Sequence, residues 1–290
     1  MKKIPLIIMS VALAACGGSS TDTDDVIVNN TDTTSLNQRI EKTQKVFYTI
    51  PSPYETALIF ESSGVTYNSG ILNPVDNVKK YTTKDKQALN FGVYGADLSY
   101  SNIFDQSQQS MFYMNCAKKM ADELGITSAF DAETIERIER NINNKDSLMS
   151  IINDSYWIAD SHLKENQQEY LSALSIAGGW IEGMYLGSAG LKKEKPSEAI
   201  MNTIANQKYA IENLISLLEL YNQDETKQLR EKLIPIKSGF DKIVETSSPS
   251  SVNSNEKIAV IEGGSTLQYT PEIIFEITQN IKKLRDEIIQ

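Results

Sequence analysis

The stretch Ala177-Gly178-Gly179-Trp180-Ile181-Glu182-Gly183-Met184-Tyr185 decides how this chain is built. It sits inside an otherwise helical pattern, yet carries Gly178, Gly179 and Gly183 within six residues, each costing roughly 1 kcal/mol against alanine in a helix. Something that only a bare backbone can do must recover that cost. Ser175, Gly179, Gly183 and Gly187 recur every four residues and so line one gently winding face. Ala88, Gly92 and Ala96 do the same in an earlier segment, with Gly95 and Ser99 beside them. Such stripes let two helix backbones approach closely, as small-xxx-small contacts do between membrane helices. Both segments carry charges and amides, so they belong to a soluble bundle. The expectation is that helices of about 84–104 and 166–190 are central neighbours, with dispersion and Cα–H···O contacts offsetting the glycine cost. A π-bulge, a helix break or glycines cleared for a ligand are the alternatives.

Around this pair the chain reads as nearly all helix. Ser52-Pro53-Tyr54-Glu55 is a start signal: serine caps, proline suits the first position, and glutamate completes a capping box. That helix should run to Gly64, and the one at about 106–124 should end at Gly125. Asp131 should cap a short helix with Ile135, Ile138 and Ile142 on one face, followed by helices at about 145–164, 196–222 and 224–245, the last interrupted or kinked by Pro235. Residues 247–256, SSPSSVNSNE, read as a flexible loop, and Gly263-Gly264 could turn a small β-hairpin between 257–261 and 266–269. A final helix starts at Thr270-Pro271 and carries Ile274, Ile277, Ile281, Leu284 and Ile288 at spacings of three and four. The fold class expected is an all-α bundle of about nine helices over residues 35–290, with at most one small C-terminal hairpin.

Each glycine-bearing helix also has an acid followed three residues later by a tyrosine, Asp97 with Tyr100 and Glu182 with Tyr185, which places acid and phenol on one helical side. The segments GVYGADLSY and AGGWIEGMY are distant echoes of each other. Acids facing inward at a tight contact need partners, with Tyr94, Tyr100, Tyr185 and Trp180 as candidate donors. The chemistry open to them is a small cationic or sugar ligand, a hard cation or an acid/base pair, against a buried hydrogen-bond network or two solvated charges. Paired acids are also the device of α/α-barrel glycosidases, but such barrels need more helices than this chain provides.

The first residues address the chain to a membrane. Lys2 and Lys3, the apolar run Ile4–Ala15 and Leu13-Ala14-Ala15-Cys16 make a signal peptide over 1–15. The cysteine directly after Leu-Ala-Ala resembles the lipobox of bacterial lipoproteins. That resemblance implies lipidation of Cys16, and Gly17 in place of aspartate implies sorting to the outer membrane, with the leaflet left open. Residues 17–34, GGSSTDTDDVIVNNTDTT, lack hydrophobic period and read with Cys16 as a tether, whose root-mean-square reach is roughly 20–25 Å.

Composition removes several function classes. Loss of residues 1–15 takes away Lys2 and Lys3 and no acid, so the formal charge moves from −10 to −12, which excludes nucleic acid as a partner. His162 is the one histidine, which rules out two-histidine zinc sites, and it reads as structural or surface. Cys116 is the one thiol left once Cys16 carries lipid and reads as a buried apolar residue. No Walker, CxxCH, HExxH or EF-hand motif is present, so neither a cofactor nor a metal is expected.

Ile50 with PSPYE (51–55), YGADLSY (94–100), ELGI (123–126), NNKDSL (143–148) and GGWIEGMY (178–185) together resemble a family of uncharacterised lipoproteins typical of Bacteroidota, over about residues 45–290. The resemblance implies the compartment and an all-α fold, and carries no catalytic residue. The expected function is a non-enzymatic interaction or accessory module of the envelope, held to the membrane by lipid and engaging an envelope protein. The alternative is a ligand-binding or hydrolytic protein with Asp97 and Glu182 in one pocket.

Overall fold

Ser52 starts the first helix, α1 (Pro53–Ser62), by a reciprocal exchange: its hydroxyl accepts from the Glu55 N–H at 3.2 Å, and its own N–H donates to Glu55 Oε2 at 2.7 Å. The helix stops at Gly64, whose φ of +87° is left-handed. A computed structural model describes residues 49–142, 144–247, 251–253, 260–262 and 265–290, all within one compact unit, Arg39–Gln290. Cys16, the signal segment and the tether lie outside the described residues.

The protein is an all-α multi-helix bundle. After α1 come α2 (Lys84–Ile103), α3 (Ser107–Leu124), α4 (Ala132–Arg140), α5 (Lys145–Glu165), α6 (Glu169–Ser188), α7 (Glu198–Ala205), α8 (Lys208–Leu218), α9 (Asp224–Asp241) and α10 (Pro271–Ile288). Asp131 caps α4 through Thr134 N–H at 2.8 Å, and Asn144 caps α5 through Ser147 N–H at 3.1 Å.

The glycine-bearing helices α2 and α6 form the centre. Every α2 residue from Asn90 to Ile103 is buried, and so is α6 from Leu171 to Ser188 apart from Ile176 and Tyr185. Helices buried all round have no solvent stripe to orient them, so small residues choose the contacts. The two pack against each other more extensively than any other pair of elements. α1 lies along α6 with Pro53 at Gly179, Thr56 at Gly183 and Phe60 at Gly187. Those pairs climb in step, so α1 and α6 run parallel. α10 lays its buried stripe, Ile274, Ile277, Ile281, Leu284 and Ile288, on α9 and α6.

Three readings of the C-terminal half need correction. The helix expected at 196–222 is two helices, α7 and α8, broken at Asn206-Gln207. Apolar spacing continues across the break, but Gln207 is turned inward and accepts the Trp180 indole N–H at 3.3 Å. The helix expected at 224–245 ends at Asp241, and Val244–Ser247 leaves as strand β1. Pro235 stays inside α9 because it and Glu231, whose carbonyl it cannot serve, face solvent. The strands beside Gly263-Gly264 do not pair with each other. β4 (Ser265–Gln268) pairs antiparallel with β1, and β3 (Val260–Glu262) pairs antiparallel with β2 (Ser251–Asn253). Thus β2 occupies part of the expected loop, while 248–250 and 254–259 lie outside the described residues.

Candidate functional site

The close approach of α2 and α6 explains where their acids go. A Cβ on Gly92 would lie 1.9 Å from the Ser175 carbonyl oxygen and 2.6 Å from Gly179 N. A Cβ on Gly178 would lie 2.0 Å from the Leu89 carbonyl oxygen. Side chains projecting from this seam, Asp97 from α2 and Glu182 from α6, are both 0 % exposed. The stripe of Gly179, Gly183 and Gly187 receives α1, and Gly95 receives the Tyr156 hydroxyl from α5. The α2–α6 contact itself therefore uses Gly92 and Gly178, with Gly179 shared between both neighbours.

The partner of Glu182 is Arg285 of α10, which the sequence reading did not single out. Its Nε and Nη2 donate to Glu182 Oε2 and Oε1 at 2.8 and 2.9 Å, a bidentate pair. Nη2 also donates to the Ile71 carbonyl at 3.0 Å, and the guanidinium carbon lies 4.3 Å from the Tyr185 ring centroid. The acids were expected to find phenol or indole donors, but none of the four candidates bonds to them. The Tyr100 hydroxyl donates to the Thr66 carbonyl and accepts from Asn68 N–H. Tyr94 reaches the Pro74 carbonyl, Trp180 reaches Gln207, and Tyr185 offers its ring face to Arg285. A guanidinium won because two buried carboxyls need charge as well as hydrogen bonds.

Asp97 completes the cluster. Its Oδ2 accepts from Asn73 N–H at 3.3 Å, while its Oδ1 has no donor. Burial first, and then the Glu182 charge, push its carboxyl well above the ordinary 3.8, with Arg285 and the Asn73 bond opposing. Burial also pushes Glu182 up, but Arg285 opposes that shift by both charge and hydrogen bonding. Burial works against the Arg285 charge, and Glu182 more than offsets it, so the guanidinium is held protonated. The neutral combination is Arg285 cationic, Glu182 anionic and Asp97 protonated, with the Asp97 and Glu182 carboxyls hydrogen-bonded to each other.

Chemically, this arrangement holds helices together. A general acid must reach the proton it transfers, and both carboxyl side chains are closed off from solvent. Among the described residues no three His, Cys, Asp or Glu side chains cluster to hold a metal. Beside the acids, Asn90 donates to the Ile288 carbonyl, and Asn77 and Tyr81 donate to the Ile289 carbonyl. These bonds satisfy the open end of α10 and anchor the helix that supplies Arg285. Cys116 is buried on α3, and His162 lies half-buried in the last turn of α5.

No protein-family model, curated protein or solved structure matches this chain.

Proposed function

We propose that the chain is an outer-membrane lipoprotein anchored through Cys16, whose helical domain is a non-enzymatic interaction module of the cell envelope. The anchor rests on Leu13-Ala14-Ala15-Cys16 and the polar run that follows it; several acyl chains hold a protein to a bilayer without a spanning helix. No described helix is long and apolar enough to cross a membrane.

The observation that carries the non-enzymatic reading is the use made of Asp97 and Glu182. Glu182 is committed to Arg285, and Asp97 to Asn73 and Glu182, in a sealed core, which leaves the hydrolytic alternative without a solvent-reachable acid pair at that place. The test is purification of the lipidated, C-terminally tagged protein from its native envelope in mild detergent, followed by mass spectrometry. One stoichiometric envelope protein is the expected result, and Cys16→Ser should shift the chain from the membrane fraction to the soluble one. A solitary protein, or a Cys16→Ser variant still fully membrane-bound, would overturn the proposal.

A further inference from the structure

The break between α7 and α8 shapes a second place of interest. Where α7 ends, Asn202 and Asn206 stand one turn apart and both are exposed, while Gln207 at the next position turns inward to Trp180. Across from the two asparagines lies the base of the ribbon made by β1 and β4. Between helix and ribbon opens a cavity of about 260 Å³ lined by Asn202, Asn206, Tyr209, Thr266 and Leu267. Bonds that cross the gap fix its walls. The Tyr269 hydroxyl, just past β4, donates to Asn202 Oδ1, and the Tyr209 hydroxyl donates to Glu245 Oε2 of β1. Lys208 Nζ donates to the Ile243 carbonyl at 2.7 Å, which ties the chain entering β1 to the start of α8. Leu267, the cross-strand partner of Glu245, is half-buried against the core and supplies an apolar wall.

The same bonds select what is left for a ligand. Asn202 spends its oxygen on Tyr269 and keeps a primary amide nitrogen, which donates. Asn206, one turn on, presents an exposed amide that both donates and accepts. Tyr209 is 46 % exposed although its hydroxyl is tied to Glu245, so a large apolar ring is held at the surface in one orientation. Among the described residues no acid, lysine, arginine or histidine lines the cavity, so an ion finds no counter-charge in its walls. The Glu245 carboxylate behind Tyr209 is already engaged by it. The volume lies just below the roughly 300–1,000 Å³ of sites for drug-sized molecules, which suits about one ring. An extended peptide, rising about 3.3 Å per residue, needs a longer groove. What fits is a neutral ring with an apolar face and a hydroxylated edge.

We propose that this cavity binds one ring of a neutral saccharide, its C–H face on Tyr209 and Leu267 and its hydroxyls on Asn202 and Asn206. The site goes beyond the envelope reading and stands whether or not Cys16 carries lipid.

The full-length protein, in a polyoxyethylene detergent without sugar headgroups, is titrated with glucose, galactose, mannose, N-acetylglucosamine and cellobiose. Saturation-transfer NMR and the side-chain amide signals of asparagine-labelled protein are the readouts. The expected result is saturable binding of at least one sugar with Kd on the order of 1 mM. That binding should be lost in Tyr209→Ala, weakened about tenfold in Asn202→Ala and Asn206→Ala, and kept within about threefold in Tyr209→Phe, which retains the ring face. Circular dichroism confirms that each variant is folded, and Asn206→Ala, at an exposed position, carries the test if Tyr209→Ala is not. Absence of saturable binding by the wild type up to about 50 mM, well beyond that Kd, overturns the proposal. So does binding untouched by these substitutions, or a response to tetramethylammonium or to a short neutral peptide with none to the sugars.

Discussion

Glu182→Gln and Asp97→Asn remove one carboxylate each from the same sealed cluster, and they should act in opposite directions. The glutamine keeps the shape of Glu182 but leaves Arg285, 5 % exposed, without its bidentate counter-ion. Breaking a buried pair from one side costs about 3–5 kcal/mol, because the remaining charge cannot reach water. In a chain of this size each kcal/mol moves the melting point by about 2–4 °C, so Glu182→Gln should melt roughly 6–20 °C lower. Asp97→Asn instead replaces a neutral acid by a neutral amide that can still donate to Glu182. Because the folded pKa of Asp97 lies above its unfolded value, its contribution is complete below about pH 4 and is lost as pH rises through the folded value. The wild type should therefore lose stability relative to Asp97→Asn as pH climbs from about 4. Urea unfolding of both variants and the wild type at several pH values, followed by circular dichroism, reads both effects. The proton assignment is refuted if the two variants lose equal stability, or if the gap between wild type and Asp97→Asn is flat with pH.

Other perturbations probe the scaffold. Gly92→Ala drives a methyl to 1.9 Å from a backbone oxygen, so α2 and α6 must part, and thermal melts should show a loss above the usual 1–3 kcal/mol of overpacking. Gly64→Ala is its control: nothing lies within 4 Å and φ is +87°, so the loss should be only the left-handed penalty of about 1–2 kcal/mol. Burial pushes the Cys116 thiol up to about 11, so alkylation at pH 8 should be slow in the folded protein and fast in urea, as mass spectrometry of quenched samples will report.

Most of the helical scaffold was legible because its punctuation is local. Ser52, Gly64, Gly125 and Asp131 begin and end helices by bonds within a few residues of themselves. The central position of α2 and α6 was legible too, since their glycines make no sense on a solvated face. Which glycine meets which neighbour was not, because one face of α6 serves α1 and an adjoining one serves α2. Arg285 was missed because Lys282, Lys283, Asp286 and Glu287 make its surroundings look like a solvated face. A signal did exist: Arg285 follows Ile281 by four residues and precedes Ile288 by three, inside the buried stripe. The break at Asn206-Gln207 left no trace in apolar spacing, and the nested strand pairing depends on contacts between segments that lack a turn signature of their own.

The arginine that neutralises the core arrives late. It meets Glu182 across 103 positions of chain and the Ile71 carbonyl across 214, and contacts so distant in sequence slow folding. In a chain made from its N-terminus, the two acids emerge long before the cation that lets them be buried. Until α10 has been made, closing the α2–α6 seam strands carboxyls away from water, so the growing chain has a reason to stay open. The core then closes only when the last helix is in hand.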